Sequence, residues 1–296
     1  MANLPYPKVH VVINPAAGQN QPILNILNDV FHPAGVEWDI SLTHKSGDAT
    51  RLAAEAAASG VDLVAAYGGD GTQMEIGNGL LGTGVPQAIL PGGTDNVMAH
   101  DLGIPIKLNE AAQMIISSNK RRSIDLVKTE DRVFMLRAFT GLETDEEVSR
   151  EEKDKLGQLA YLKASFKFMR EIEESDYKAV VDGEVIEGKA LTCFILNAGS
   201  IGTIMGVDIP KVGDVSISDG YLDLFAITKG VKPLRAISKY IFQHEGSEAG
   251  VYHWRAKEIT LEADPFQSVW IDGDYGGKTP ITVQAMPQVL DMVVPE

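Results

Sequence analysis

The sequence predicts an α/β domain with a parallel sheet, followed by a mostly antiparallel, β-sandwich-like domain. Over roughly the first hundred residues, short β-branched runs alternate with longer helical patterns, which is typical of parallel strands joined by crossover helices. From Ile124 onward apolar runs follow one another closely, and two longer helical patterns interrupt them. This change predicts a first domain over residues 1–122 and a second over residues 123–296.

The first domain is expected to contain strands and helices in alternation. Ile23, Ile26, Leu27 and Val30 recur at helical spacing, and Asp48 begins an Ala-rich stretch, as a residue at a helix N-terminus often does. The predicted strands cover residues 8–13, 38–43, 62–66 and 87–90, and the predicted helices cover residues 21–31, 48–58 and 109–117.

The second domain is expected to be rich in strands. The apolar run 191–196 contains the one cysteine of the chain, Cys193, which we interpret as strand filling rather than as a nucleophile. Two helical patterns cover residues 155–174 and 233–242. The predicted strands cover residues 132–139, 177–181, 190–197, 221–228, 257–261, 268–271 and 281–284.

The chain is strongly acidic, with 26 basic residues against 41 acidic ones and a formal net charge of −15 at pH 7. This charge repels nucleic acid at long range, so no nucleic-acid partner is expected. No stretch approaches the roughly 18 apolar residues of a membrane-spanning helix, and the first residues lack the pattern of a signal peptide. We therefore expect a cytoplasmic protein that binds any phosphate group through local positive elements, such as helix N-termini or a bound metal ion.

The strongest local motif is Tyr67-Gly-Gly-Asp-Gly-Thr72, at the expected junction of a strand and a helix. Its three glycines allow backbone amides to approach an anion closely. Thr72 is expected to cap the following helix, whose positive end would then point at bound phosphate. Asp70 is expected to hold a metal ion or an ordered water. The motif therefore predicts a phosphate-binding loop.

Two further loops follow predicted strands, Asn14-Pro-Ala-Ala-Gly18 after the first and Pro91-Gly-Gly-Thr-Asp-Asn96 after the fourth. Because the carboxyl ends of parallel strands share one edge of a sheet, we expect all three loops to line a nucleotide cleft. The sequence has neither a G-x-x-x-x-G-K-[ST] loop nor a G-x-G-x-x-G helix start. These absences argue against an ordinary phosphate-loop enzyme and against a dinucleotide oxidoreductase.

The three loops resemble those of the diacylglycerol kinase catalytic-domain superfamily, which includes bacterial diacylglycerol kinases and the sphingosine and ceramide kinases. NAD kinases and phosphofructokinases carry a similar glycine loop. Glu75 and Asn78-Gly79, which follow the loop in this sequence, resemble the pattern of the lipid kinases instead. The resemblance continues at residues 102–105, 124–126, 157–161, 197, 202, 218–223 and 271–274.

The resemblance implies a kinase with ATP on the α/β domain and magnesium near Asp219. Magnesium would bind the Asp219 carboxylate and the backbone oxygens of Ser216 and Tyr221, which are ligands suited to a hard cation. By itself, Asp219-Gly220 is equally typical of a plain hairpin turn. The residues implied to bind ATP are Asn14, Pro15, Ala16, Ala17, Gly18, Thr43, Gly68, Gly69, Asp70, Gly71, Thr72, Glu75, Thr94 and Asn96.

Phosphoryl transfer also needs a group that receives the proton of the acceptor hydroxyl. Asp272 and Asp274, after the apolar run 268–271, are the candidate general bases, and Asp272 is favoured. The family usually has Asp-Gly-Glu here, so the shorter Asp274 leaves the choice between them open, and a turn with two solvated acids is the alternative. Val97, which follows Asn96, is a second departure from the family pattern, because many members have Asp at this position.

The sequence thus predicts an ATP- and Mg²⁺-dependent lipid kinase, with diacylglycerol as the default acceptor and brief peripheral contact with a membrane surface. One alternative is an NAD-kinase-like enzyme that phosphorylates a soluble acceptor. The other is a nucleotide-binding regulator without catalysis, against which the presence of Asp70, Asp219 and Asp272 argues. The lipid acceptor and the oligomeric state, a homo-oligomer included, are left open.

Overall fold

The structure is a computed structural model that describes residues 4–17, 21–141, 173–200, 203–204, 207–208, 212, 214–229 and 250–296. The chain divides into two compact units, each described below by itself. The predicted helix at residues 233–242 lies outside the described residues, as does the predicted helix at 155–174 except for its last two positions. The units are Met1–Leu126 with Ile217–Asp219 and Met286–Glu296, and Val127–Ser216 with Gly220–Ala285.

The first unit is the predicted α/β domain with a parallel sheet. Its elements are β1 (Lys8–Ile13), α1 (Ile23–Ala34), β2 (Glu37–Leu42), α2 (Asp48–Ala58), β3 (Leu63–Gly68), α3 (Asp70–Leu80), β4 (Gln87–Pro91), α4 (Val97–Leu102), α5 (Leu108–Ser117) and β5 (Arg121–Lys128), which continues into the second unit. The strands run in the order β2-β1-β3-β4 and pair in parallel. β3 and β4 are buried along their whole length, as expected for central strands of a parallel sheet.

The second unit is a sandwich of antiparallel strands, as predicted. Its elements are β6 (Val133–Phe134), β7 (Arg137–Thr140), β8 (Ser175–Val181), β9 (Glu184–Ala190), β10 (Thr192–Leu196), β11 (Thr203–Ile204), β12 (Val207–Asp208), β13 (Leu222–Ile227), β14 (Val251–Ala256), β15 (Glu258–Asp264), β16 (Ser268–Ile271), β17 (Asp274–Lys278) and the first residues of β18 (Ile281–Val293). One sheet has the order β14-β13-β10-β7-β16-β17, and the other contains β18-β15-β8-β9.

The core of the sandwich consists of apolar side chains contributed by both sheets. Ile195 and Leu224 come from the six-stranded sheet, and Ile259 and Val283 come from the other. Cys193 belongs to the same core as a buried residue of β10, and burial raises the pKa of its thiol to about 12. The thiol is therefore protonated at neutral pH, as expected of a side chain that fills a strand.

The prediction of a single strand over residues 132–139 is wrong. β6 pairs with β5, whereas β7 lies in the six-stranded sheet, so the chain changes sheets at Met135 and Leu136. Strands that switch sheets in a sandwich do so at bends. The apolar pattern runs through this corner unbroken because Met135 and Leu136 are both buried.

The last strand returns to the first unit. In β18, Met292 pairs in parallel with Gln87 of β4. Gln288 has a φ of 52°, and its N–H donates to Oδ1 of Asp125 at 2.7 Å. The predicted strand at residues 281–284 is therefore only the beginning of a longer one. The first unit also contains the C-terminal residues Met286–Glu296, which a single division after residue 122 places in the second domain.

Candidate active site

Three loops meet at the carboxyl ends of β1, β3 and β4, as predicted. The N–H of Asn14 donates to the carbonyl of Tyr67 at 2.9 Å, and Nδ2 of Asn14 donates to Oγ1 of Thr72 at 3.1 Å. The N–H of Gly92 donates to the carbonyl of Gly68 at 3.1 Å. The loop after β3 is thereby held between the other two.

The loop after β3 leads directly into α3. The helix begins at Asp70, and Gly69 is its N-cap residue with extended backbone. Thr72 therefore lies inside the first turn, and the prediction that it caps the helix is wrong; its side chain accepts the hydrogen bond from Asn14 instead. The N–H groups of the first turn have no acceptor within a helix, which makes such a turn suited to binding an anion.

Close packing requires several of the glycines in these loops. A Cβ on Gly68 would lie 2.5 Å from the Thr72 side chain, and one on Gly92 would lie 2.8 Å from the Tyr67 ring. A Cβ on Gly93 would lie 2.5 Å from Cα of Gly69. Gly71 differs, because a Cβ there would meet nothing within 4 Å. Among the described glycines of these loops, only Gly71 borders open space, where a ligand could approach its backbone.

Asp70 connects the loop after β3 to the helix that follows the loop after β4. Its Oδ2 accepts the N–H of Val97, and its Oδ1 accepts the N–H of Met98, both at 3.0 Å. These two amides belong to the first turn of α4, where a carboxylate favourably compensates the helix dipole. The described contacts of Asp70 are therefore those of a helix cap that ties two loops together.

Asn96 and Thr94 occupy the loop after β4. Asn96 has a φ of 45°, its Oδ1 accepts the N–H of Gly93 at 2.9 Å, and its Nδ2 donates to the Gly93 carbonyl at 2.8 Å. Asn96 is buried and shapes the loop, whereas Thr94 is exposed. Thr94, like its neighbour Asp95, is thus a side chain of this loop that solvent or a ligand can reach.

The remaining residues expected to bind ATP lie at the ends of β1 and β2. Oδ1 of Asn14 accepts the N–H of Ala16 at 3.0 Å, which shapes the loop that also carries Pro15 and Ala17. Thr43 is buried, and its N–H donates to the carbonyl of Ile13 at 3.0 Å. Gly18 lies outside the described residues.

Glu75, also expected to bind ATP, contacts the N-terminus of α2. Its Oε2 accepts the N–H groups of Gly47 at 3.0 Å and Ala49 at 3.2 Å, and its Oε1 accepts the hydroxyl of Ser46 at 3.2 Å. A carboxylate at this end of a helix satisfies otherwise unpaired amides and compensates the helix dipole. The described role of Glu75 is to fix α2 against α3.

Glu75→Gln is expected to lower the free energy of unfolding by about 1 kcal/mol and to leave ATP affinity unchanged, because the amide keeps one acceptor and loses the charge. Urea unfolding and calorimetric titration with ATP measure the two effects. Glu55→Gln is the control, since Glu55 is an exposed residue of α2 that pairs with Arg51 of the same helix. A loss of ATP affinity without a loss of stability would contradict this interpretation.

The two candidate bases lie on the hairpin between β16 and β17 and differ in their surroundings. The Asp272 carboxylate accepts backbone N–H groups from Met135, Leu136 and Arg137 at 2.8 to 3.3 Å. Burial raises the pKa of Asp272, and these three N–H groups act in the opposite direction. Asp274, at the start of β17, is exposed.

The residues implied to bind magnesium are divided between the units. Asp219 belongs to the segment Ile217–Asp219 of the first unit, where Ile217 accepts the N–H of Asp125 at 2.7 Å and Ser218 Oγ accepts Arg122 Nη2 at 2.6 Å. Ser216 and Tyr221 belong to the second unit. Among the described residues no group of three or more His, Cys, Asp or Glu side chains could hold a metal ion.

One carboxylate with backbone carbonyls nevertheless fits magnesium, which binds through few carboxylates and completes its shell with water and phosphate oxygens. Gly220 has a φ of 77°, so the chain turns directly after Asp219. The donor chemistry therefore suits a hard cation bound together with a nucleotide.

The sequence interpretation missed one pair of titratable side chains. His253 Nε2 lies 2.6 Å from Oδ1 of the buried Asp223, and the His253 ring stacks on Phe225 with centroids 4.4 Å apart. The pair joins β13 to β14. Histidine spacing along the chain could not reveal it, because cross-strand pairing brings the two residues together.

Comparison with known proteins relates both halves of the chain to kinases. Residues 8–129 match the model of the diacylglycerol kinase catalytic domain, and residues 140–294 match that of the YegS C-terminal NAD kinase beta sandwich-like domain. A diacylglycerol kinase of Staphylococcus saprophyticus is 29% identical over 299 residues, covering 97% of this chain and 95% of that protein. The diacylglycerol kinase of Bacillus subtilis is 26% identical over 98% of this chain and 97% of its own.

A solved structure agrees with the sequence relatives. The crystal structure of a diacylglycerol kinase from Bacillus anthracis superposes with a TM-score of 0.75 at 27% identity, covering 98% of this chain and 97% of that one. Within the part of the chain that the structure describes, no helix is both long and apolar enough to cross a bilayer.

Proposed function

Because the chain belongs to the diacylglycerol kinase catalytic-domain family, we propose that it is an ATP- and Mg²⁺-dependent kinase that phosphorylates the hydroxyl of diacylglycerol. The observation that carries the proposal is the meeting of three loops, which together are rich in Gly, Asn and Thr, at one edge of the parallel sheet. Ligands of open α/β sheets bind at this edge, beyond the carboxyl ends of the strands.

The nucleotide phosphates would bind at the first turn of α3. The open space beside Gly71 allows a phosphate oxygen to approach its N–H, and the positive end of the helix favours the negative charge. Asp70 and Asn14 support this turn by tying its loop to the two neighbouring loops. A chain with a net charge of −15 thereby offers phosphate a local positive element.

Magnesium would be held by the Asp219 carboxylate with the backbone oxygens of Ser216 and Tyr221. When bound, it would neutralise the charge that develops on the phosphate oxygens. The chain itself supplies positioning, which accounts for most of the catalysis of phosphoryl transfer. Asp272 and Asp274 are the carboxylates proposed for the proton of the acceptor hydroxyl.

The acceptor would be reached at a membrane surface by brief peripheral contact. The strongly acidic chain does not favour electrostatic anchoring to anionic lipid. Binding to anionic vesicles is therefore proposed to be weak and insensitive to salt. Tight, salt-sensitive binding would instead indicate a basic membrane-binding surface.

The test is a transfer assay with radiolabelled ATP, Mg²⁺ and a panel of lipid acceptors, with NAD as the soluble acceptor. Wild-type protein is expected to label diacylglycerol, and Gly71→Ala is expected to weaken ATP binding at least about tenfold, or 1.4 kcal/mol. The added methyl group would occupy the space that the phosphate needs, while the helix gains about 0.5–1 kcal/mol from the substitution.

Gly188→Ala is the matched control, because a Cβ at Gly188 also meets nothing within 4 Å and its φ is not positive. It is expected to change neither ATP affinity nor transfer. Labelled NAD without labelled lipid would replace the proposal by a soluble-acceptor kinase. ATP binding without transfer to any acceptor would indicate a regulator without catalysis.

A further inference from the structure

Tyr67 lies in the first unit at the end of β3, directly before the glycines of the loop after that strand, and its side chain is completely buried. Tyr67 pairs with Ile13 of β1 on one side and with Leu90 of β4 on the other. It is therefore the central residue among the three strands whose loops form the candidate site.

The side chain of Tyr67 points to the face of the sheet opposite α3. Successive residues of a strand point to alternate faces, and a Cβ on Gly68 would meet the Thr72 side chain of α3. On the other face, the Tyr67 hydroxyl accepts a hydrogen bond from Nε2 of Gln21 at 2.9 Å. The bond from Asn14 to Thr72 thus holds the loops together on one face, and the bond from Gln21 to Tyr67 does so on the other.

Tyr67 holds both ends of the segment that joins β1 to α1. Its backbone carbonyl accepts the N–H of Asn14 at 2.9 Å, where the chain leaves β1. Its hydroxyl accepts the side-chain amide of Gln21, which directly precedes Pro22, the N-cap residue of α1. One residue therefore fixes both where this segment begins and where it enters the helix.

The outer end of the Tyr67 ring also supports the loop after β4. A Cβ on Gly92 would lie 2.8 Å from Cζ of the ring and 3.0 and 3.1 Å from its two Cε atoms. Because Cζ carries the hydroxyl, the same end of the side chain packs against Gly92 and binds Gln21. A displacement of the ring would therefore be transmitted to the loops after β1 and β4 together.

The hydroxyl of Tyr67 is not needed for this packing. Phenylalanine would fill the same space and keep the contact of the ring with Gly92. A buried hydroxyl costs free energy unless it is hydrogen-bonded, so tyrosine suits the position only with a partner. Half-buried Gln21 is that partner, and the hydrogen bond between them is what the hydroxyl adds to the site.

We propose that Tyr67 is a positioning residue of the nucleotide site, whose hydroxyl acts through Gln21 to fix the loop after β1 against the loops after β3 and β4. The proposal rests on the kinase function proposed above, which assigns these loops to ATP. No part of Tyr67 is exposed, so it acts on ATP only through the loops. A loop that is ordered before the ligand arrives loses less conformational freedom on binding. Loss of the hydroxyl therefore weakens ATP binding and leaves the chemical step unchanged.

The experiment compares Tyr67→Phe, Gln21→Met and the double variant in the full chain. Each single variant is expected to lower ATP affinity in calorimetric titration about two- to tenfold, the usual effect of one hydrogen bond. KM for ATP is expected to rise by the same factor with kcat unchanged, because only binding is weakened. The double variant is expected to match either single variant, since both substitutions remove the same hydrogen bond.

Amide exchange without ligand measures the positioning itself. Tyr67→Phe is expected to speed exchange at Ile26, whose N–H donates at 3.0 Å to the carbonyl of Pro22, the residue after the released Gln21. Exchange at Asn14 is expected to stay as in wild type, because its N–H donates to the backbone carbonyl of residue 67, which the substitution keeps.

Tyr6→Phe is the matched control. Tyr6 is also buried, and its hydroxyl accepts a hydrogen bond from Nε of Arg121 at 3.2 Å. It precedes β1, at the edge of the sheet opposite the loops, so its substitution is expected to lower Tm as Tyr67→Phe does and to leave ATP affinity unchanged. Wild-type ATP affinity of Tyr67→Phe would overturn the proposal, as would losses that add up in the double variant.

Failure of this inference is distinguishable from failure of the proposed function. If the wild-type protein binds no ATP, the role of Tyr67 in nucleotide binding falls with the kinase function. Exchange at Ile26 in Tyr67→Phe needs no ligand and still decides whether the hydroxyl fixes the start of α1. If wild type binds ATP and transfers phosphate while Tyr67→Phe behaves identically, this inference alone is wrong.

Discussion

Gly93→Ala is expected to destabilise the protein by about 1–3 kcal/mol, the usual penalty for forcing extra volume into a packed site. A Cβ at Gly93 would lie 2.5 Å from Cα of Gly69, and backbone at such a contact cannot rotate away as a flexible side chain can. The loops after β3 and β4 must therefore move apart. ATP affinity is expected to fall as well, because the hydrogen bond from Gly92 to the Gly68 carbonyl lies at the same junction.

Urea unfolding and calorimetric ATP titration measure the two effects of Gly93→Ala. Gly69→Ala is an internal comparison, since a Cβ there would lie 3.4 Å from Cα of Gly93, an ordinary contact distance, and should cost less. Gly188→Ala in β9 meets nothing and should stay within about 0.5 kcal/mol of wild type. Wild-type stability of Gly93→Ala would mean that the two loops are not in contact.

The parallel half of the fold was predictable because its signals are local. Strands such as β1 and β3 are short apolar runs that end at glycine- or asparagine-containing loops, and these loops fall at the same edge of any parallel sheet. The meeting of the three loops followed from this rule alone. The N-cap residue of α3 could not be predicted from this rule, because the choice between Gly69 and Thr72 depends on where the first helical turn closes.

Strands without a one-sided apolar pattern escaped prediction. β9 is exposed over most of its length, and β17 contains Gly276 and Gly277, so neither shows a clear alternation. The predicted last strand covered residues 281–284, although β18 continues to Val293 through Pro287 and Gln288, which has a positive φ. The pairing of Met292 with Gln87 joins residues distant in sequence, which local pattern cannot show.

The acidic residues of the motifs were predicted to be important. They were predicted to bind ligands or to transfer a proton, however, and not to hold the backbone in place. A carboxylate that caps a helix and one that binds a metal ion have the same sequence signal beside glycine. In the structure Asp70, Glu75 and Asp272 all accept backbone N–H groups, and Glu75 also accepts the Ser46 hydroxyl. Part of the acidic excess of the chain therefore serves to satisfy buried or terminal N–H groups, a role that depends on tertiary contacts.

Asp70→Asn is the second substitution with a large expected effect. Both carboxylate oxygens of Asp70 accept N–H groups of α4, from Val97 and Met98 at 3.0 Å. The amide would place an NH2 group against one of these donors, leave it unpaired and remove the charge. Hydrogen bonds to charged groups contribute about 1.5–3 kcal/mol, and a loss of stability in this range is expected.

ATP affinity of Asp70→Asn is expected to fall together with stability, because the same contact holds the first turn of α3 against the loop after β4. Asp95→Asn is the matched control, since it removes the same charge from an exposed residue of that loop and should stay within about 0.5 kcal/mol of wild type. If Asp70→Asn lost Mg²⁺-dependent ATP binding at wild-type stability, Asp70 would act through the metal ion. A joint loss of stability and of metal-independent nucleotide binding would assign it to the junction between the loops.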